Sequence, residues 1–175
     1  MRAAQLPNVL AFFERSLHCH ELIAQIGQFI HPEFVLWATS ASGVNTTKKC
    51  YETLETYGDT ILKLAATWLA YDQLESDPKA DEKRITSMKD SFVTNLFIFR
   101  IGKKLKLSEF MRTKDPDLKT WDPPFTDKAP TFEMVSCTGK NIADCVESLL
   151  GSHFLSNNLF RTLQFISNIQ LVPLE

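Results

Sequence analysis

The chain has 175 residues, 44% of them hydrophobic, enough for one domain with a sizeable core, and its formal net charge of -2 speaks against nucleic-acid binding through bulk positive charge. Four Cys without CxxC spacing read as buried or incidental thiols in a reducing compartment. No apolar run reaches membrane-spanning length and no signal-peptide core stands at the amino terminus, so the expected setting is intracellular, cytoplasmic or nuclear.

Residues 1–34 read as an N-terminal segment of one or two helices, with Val9, Leu10, Phe12, Phe13, Leu17, Leu22, Ile23, Ile26, Phe29 and Ile30 recurring at three and four positions. Pro32 is expected to close that section. The run 34–38 is compatible with a short helix or an apolar strand, and 39–47 is a polar loop. A long helix over about 49–73 follows, apolar on much of its surface, then a turn over 75–83. A single helix is predicted over about 82–101, ended by a left-handed cap at Gly102. The most basic stretch, 100–106, comes next and includes the adjacent Lys103 and Lys104, which read either as phosphate contacts or as a solvated helix end. Residues 115–130 hold four prolines and form a long loop. A helix over about 141–154 and a last one over about 159–169 complete an all-α domain spanning 1–175, with six to eight helices.

Two of these helices carry the chemistry. In the first, Glu52, Glu55 and Asp59 stand at i, i+3 and i+7 and share a face; in the second, Asp144 and Glu147 stand at i and i+3. Leu54, Ile61, Leu62 and Leu64, with Ile142, Val146, Leu149 and Leu150, are expected to bury the opposite stripes against one another. Acids at i and i+3 occur on many solvated faces, but these lie inside strongly apolar helices, where an ordinary carboxylate is costly to bury. Five carboxylates on two packed helices call for a counter-charge, and short, rigidly held carboxylates suit a hard divalent cation such as Mg2+ in a phosphodiesterase. Glycoside hydrolysis by paired acids competes, although five exceed its needs. His18, His20, His31 and His153 lack ligand spacing and read as core or surface residues.

The stretch Glu52-Thr53-Leu54-Glu55-Thr56-Tyr57-Gly58-Asp59 resembles the signature helix of the ribonuclease III family, and residues 139–151 resemble its second acidic helix. With 93–104 also similar, the resemblance covers about residues 45–170 and is strongest to the first of the two ribonuclease III domains of Dicer-type enzymes. It implies an all-helical endoribonuclease domain of RNA processing or RNA silencing. Such a domain forms a homodimer, or pairs with another ribonuclease III domain, across the signature helices. The implied reaction on double-stranded RNA uses Mg2+, with Mn2+ able to substitute, and leaves 5'-phosphate ends and two-nucleotide 3' overhangs.

Position by position, Glu55, Asp59, Asp144 and Glu147 match the family's metal-binding carboxylates, and Glu52 matches its outer, supporting glutamate. Lys140 is a candidate phosphate contact, and Asn95 matches a position that braces the acids. Thr53 stands where the family has Arg, Tyr57 replaces Leu, and Thr56 replaces a large apolar residue that projects into the partner. Those departures keep two alternatives open. One is an atypical domain that cuts single-stranded RNA, and the other is a catalytically inactive RNA-processing partner.

Overall fold

The computed structural model describes residues 6–41, 50–75, 77–112 and 138–172. Within them the chain forms seven α-helices: α1 Leu6–Ile26, α2 Pro32–Ala38, α3 Tyr51–Leu74, α4 Glu82–Phe92, α5 Asn95–Lys104, α6 Gly139–Ser156 and α7 Leu159–Asn168. A short 3-10 turn at Leu107–Glu109 follows α5. Among the described residues the pairing of extended backbone is limited to one isolated parallel bridge between Ser40 and Arg112, so the fold is all-α as expected. No helix among them is long and apolar enough to cross a membrane.

Three local expectations are corrected, each for an identifiable reason. Pro32 opens a helix instead of closing one: it sits in the first turn of α2, where a missing N–H goes unnoticed, and the Nδ1 of the N-cap His31 accepts from the Glu33 N–H at 3.4 Å. The preceding helix ends instead at Gly27, whose φ of +70° only a glycine adopts freely. Residues 34–38, left open as helix or strand, belong to α2.

The predicted single helix over 82–101 is two. Thr94 leaves the helical region at φ -72° and ψ 137°, and its hydroxyl accepts from the Phe97 N–H at 3.4 Å, which starts α5 afresh. The apolar pattern runs unbroken across this joint because Phe92 and Phe97 pack edge to face with ring centroids 6.2 Å apart. Gly102, expected as a left-handed cap, lies inside α5 and is buried; a Cβ there would come within 2.5 Å of the Ile142 side chain. Its role is to let α5 approach α6, and the left-handed residue that turns the chain is Lys106 at φ 51°. The predicted loops over 42–47 and 115–130 lie outside the described residues.

The core is organised around α6, which is buried continuously from Ile142 to His153. A helix buried on all sides is the hub of a helical domain. Helix α3 packs on it most extensively, α5 lies against its first half, and α2 and α7 close the rest. The buried His153 bonds to Thr162 of α7 at 2.9 Å and to Gln28 at 3.0 Å, and stacks on Phe165, so it is a core histidine. Leu64, expected in the buried stripe of α3, is 48% exposed.

Candidate active site

Helices α3 and α6 meet through backbone. A Cβ added to Gly58 would lie 1.7 Å from the Glu147 carbonyl oxygen, and one added to Gly151 would lie 2.2 Å from the Leu54 carbonyl oxygen. Such an approach is open only to glycine. A side-chain strap reinforces it, since the Ser148 hydroxyl reaches the Tyr51 carbonyl oxygen at 2.7 Å and the Asp144 carbonyl oxygen at 2.9 Å.

The acids therefore do not stand on faces opposite the packed stripes, as the sequence pattern implied. They flank the packed seam itself. Glu55, Asp144 and Glu147 each offer a carboxylate oxygen within 4.8 Å of the other two. Asp144 and Glu147 are both only 8% exposed. The other two expected site acids stand at the rim. Glu52 is exposed in the first turn of α3, and Asp59 is turned toward Lys63, which it meets at 2.7 Å.

Crowding shows in the proton affinities. Burial, then the charges of Asp59, Glu55 and Asp144, push the Glu147 carboxyl up to about 7, against the opposing pull of Lys63. Burial and then Asp144 raise Glu55, with Lys140 opposing and Glu52 and Asp59 adding. Burial raises Asp144, Lys140 opposes, and Glu52 adds. All five acids thus act in one electrostatic unit although three form its centre. Lys140, exposed in the first turn of α6, stands beside Glu55 and Asp144 as a counter-charge at the rim.

The donor set fits a hard cation. It contains only carboxylate oxygens and neither imidazole nor thiolate, which is the preference of magnesium and manganese over zinc. Oxygens within 4.8 Å of one another need only small rotamer changes to close on one ion. A bound cation would also displace the proton that Glu147 carries near neutrality.

The remaining expected residues lie elsewhere. Lys104 donates to the Gln170 side chain at 2.6 Å, near the end of α7, and Lys103 is exposed in the last turn of α5. Asn95 is exposed at the first position of α5, and among the described residues no hydrogen bond joins it to the acids. Sequence reasoning missed Tyr51, Ser148 and the packing roles of Gly58 and Gly151. The one usable signal was that Tyr51 stands a single turn before Glu55.

The site is thus an all-helical seam on which Glu55, Asp144 and Glu147 converge as a potential metal-coordinating acidic cluster. The Ribonuclease III domain profile matches residues 52–158, which span both acidic helices. The chain belongs to the ribonuclease III domain family and is a nuclease domain. It is 32% identical over 171 residues to a Dicer-like protein 2 of Cryphonectria parasitica, a match that covers 92% of this chain and 11% of that protein. It is 30% identical over 130 residues to the Dicer-like protein 2 of Pyricularia oryzae, covering 74% of this chain and 8% of that one. The chain thus spans about a tenth of the length of these relatives.

In three dimensions it superposes on the nuclease domain of ribonuclease III from Campylobacter jejuni with a TM-score of 0.67 at 14% identity, covering 86% of this chain and 91% of that domain. A second structure of that domain, described for structural flexibility in a region involved in dimer formation, gives a TM-score of 0.65, also at 14% identity, covering 87% of this chain and 97% of that domain. These likenesses concern the fold.

Proposed function

We propose that this domain is a divalent-metal-dependent endoribonuclease that hydrolyses RNA phosphodiester bonds to 5'-phosphate and 3'-hydroxyl ends, in the manner of the first ribonuclease III domain of a Dicer-like protein. The observation that carries the reading is the convergence of Glu55, Asp144 and Glu147 at a seam where two helices touch through Gly58 and Gly151. Glu55, Asp144 and Glu147 would hold the cation, with Asp59 and Glu52 at the rim to complete its shell through side chain or water. Mg2+, or Mn2+ in its place, would supply charge neutralisation of the scissile phosphate and a more acidic water. Lys140 is placed to meet a phosphate approaching that rim, and rigid helices hold the acids ready before substrate arrives.

Pairing of two such domains is supported by the outer flank of α3. Tyr57, Leu64, Trp68 and Tyr71 recur at seven, four and three positions and are all exposed, Trp68 at 61%. An apolar stripe of this length on the signature helix suits a second helix, and it persists despite the small, exposed Thr56. A pair of centres facing one duplex is thereby favoured over a single centre on one strand.

End-labelled duplex and single-stranded RNAs of one sequence test the reading, with Mg2+ or EDTA, in the wild type and Glu147→Gln. Metal-dependent duplex products with two-nucleotide 3' overhangs, lost in the variant, are expected. Cleavage that survives EDTA or Glu147→Gln overturns it.

A further inference from the structure

Glu55, Asp144 and Glu147 converge on one another, whereas Asp59 is held by a cation of the chain's own. Gly58 lies against the Glu147 backbone, so the next residue, Asp59, stands at the edge of the seam. Its Oδ2 accepts from the Lys63 ammonium, one turn further along α3, at 2.7 Å. The same ammonium pulls against the raised proton affinity of Glu147, so its field reaches the centre of the cluster. A carboxylate four residues before a lysine is a common stabilising pair on a solvated helix. Here the carboxylate is one of the five acids of the seam, and the lysine supplies it with the charge that a divalent cation would otherwise bring. The two side chains are 56% and 35% exposed, so the pair is weak enough for an incoming cation to break.

We propose that Lys63 is a built-in competitor of the divalent cation, holding Asp59 outside the cation's shell in the metal-free protein and giving it up when metal binds. The proposal rests on the metal reading above. A divalent ion and an ammonium drawn to one short carboxylate repel each other, and the ion carries the larger charge. Lys63 leaves for solvent, and Asp59 turns from the rim toward the seam. Lys63 is therefore a positioning residue that raises the metal concentration at which Asp59 joins the other acids. Breaking an exposed pair shifts an equilibrium by about 2- to 5-fold, which sets the scale of the effect. Lys140 bears on Glu55 and Asp144 and leaves Asp59 to Lys63.

The test is calorimetric titration of Mn2+ alone into the full 175-residue chain, for the wild type, Lys63→Met, Lys63→Arg, Asp59→Asn and the variant carrying both Asp59→Asn and Lys63→Met. Lys63→Met removes the charge at an exposed position of a long helix and keeps a good helix former there. It is expected to bind Mn2+ about 3-fold more tightly than the wild type. Lys63→Arg, which keeps the pair, is expected to stay at the wild-type value. With Asp59→Asn already present there is no ion pair to break, and Lys63→Met should then change the affinity by less than about 1.5-fold. Unchanged or weaker Mn2+ binding in Lys63→Met overturns the proposal and leaves the metal reading standing, because the wild type still binds. An equal gain with and without Asp59 also overturns it, since the lysine then acts only as a distant positive charge. Absence of Mn2+ binding in the wild type overturns both. Should Asp59→Asn abolish binding, nitrogen NMR of the lysine ammonium groups gives an independent reading, with Lys63 assigned by its absence in Lys63→Arg. The Lys63 signal is expected to move to the position of a free lysine on addition of Mg2+, and a signal unmoved at saturating Mg2+ overturns the proposal.

Discussion

Gly58→Ala is the sharpest perturbation of this domain, because it adds one methyl group at the place where the two acidic helices touch. The new Cβ would stand 1.7 Å from the Glu147 carbonyl oxygen and 2.5 Å from its carbonyl carbon, whereas ordinary contact begins near 3.4 Å. The obstacle is helix backbone and not the end of a flexible side chain, so α3 and α6 have to part by about 1.7 Å. Overpacking typically costs about 1–3 kcal/mol, and backbone against backbone belongs at the upper end. Alanine recovers about 1 kcal/mol of helix propensity over glycine, which does not offset that cost. A net loss of about 2 kcal/mol is expected in urea denaturation, together with loss of Mn2+ binding, because Glu147 moves away from Glu55. Gly139→Ala is the control: its nearest contact would be the Phe99 ring at 3.6 Å, and it should stay within about 0.5 kcal/mol of wild type. A Gly58→Ala protein as stable as that control, with wild-type Mn2+ affinity, would refute the backbone-contact account of the site.

Two opposed pH effects are expected in the metal-free protein. Glu147 has a folded-state pKa raised from 4.5 to about 7, so its contribution is full below pH 4.5 and is lost as pH rises through about 7, roughly 3 kcal/mol in all. His153, buried and held near 4 against an ordinary 6.5, contributes stability that is full above pH 6.5 and is lost as pH falls toward 4, by a similar amount of about 3 kcal/mol. Urea midpoints in EDTA should therefore rise with pH in Glu147→Gln and fall with pH in His153→Gln, relative to a flatter wild type; identical slopes in all three contradict the assignment. Mn2+ affinity should weaken as pH drops below about 7, and calorimetry at pH 6 and pH 8 checks this competition between metal and proton. Leu64→Asp with Trp68→Asp, both exposed, should leave the urea midpoint within about 1 kcal/mol of wild type while abolishing self-association in sedimentation; an unchanged sedimentation profile would remove the outer flank of α3 from any pairing surface.

Much of this protein was legible in its residues. The three- and four-residue recurrence of apolar positions is a local property, and it marked α3, α6 and α7 within a few residues. The spacing of Glu52, Glu55 and Asp59, and of Asp144 and Glu147, placed acids on two helices that the fold packs together. The same local view misread Gly102 and Pro32. A glycine that ends a helix and one that lets two helices touch look alike in one dimension, as do a proline that stops a helix and one that starts it. It also ran 82–101 together, because Phe92 and Phe97 keep the apolar rhythm across a joint that a threonine hydroxyl creates.

Only the tertiary structure decided which acids form the centre. Periodicity places a carboxylate on a face but says nothing of how deeply that face sinks into its neighbour. Here the depth is set by Gly58 and Gly151, which bring α3 and α6 together until Asp144 and Glu147 are buried and Glu55 joins them. Asp59, on the same face, is left at the rim with Lys63. The Ser148 hydroxyl likewise reaches the Tyr51 carbonyl oxygen only through the approach of two helices far apart in the chain, which no spacing along either one encodes.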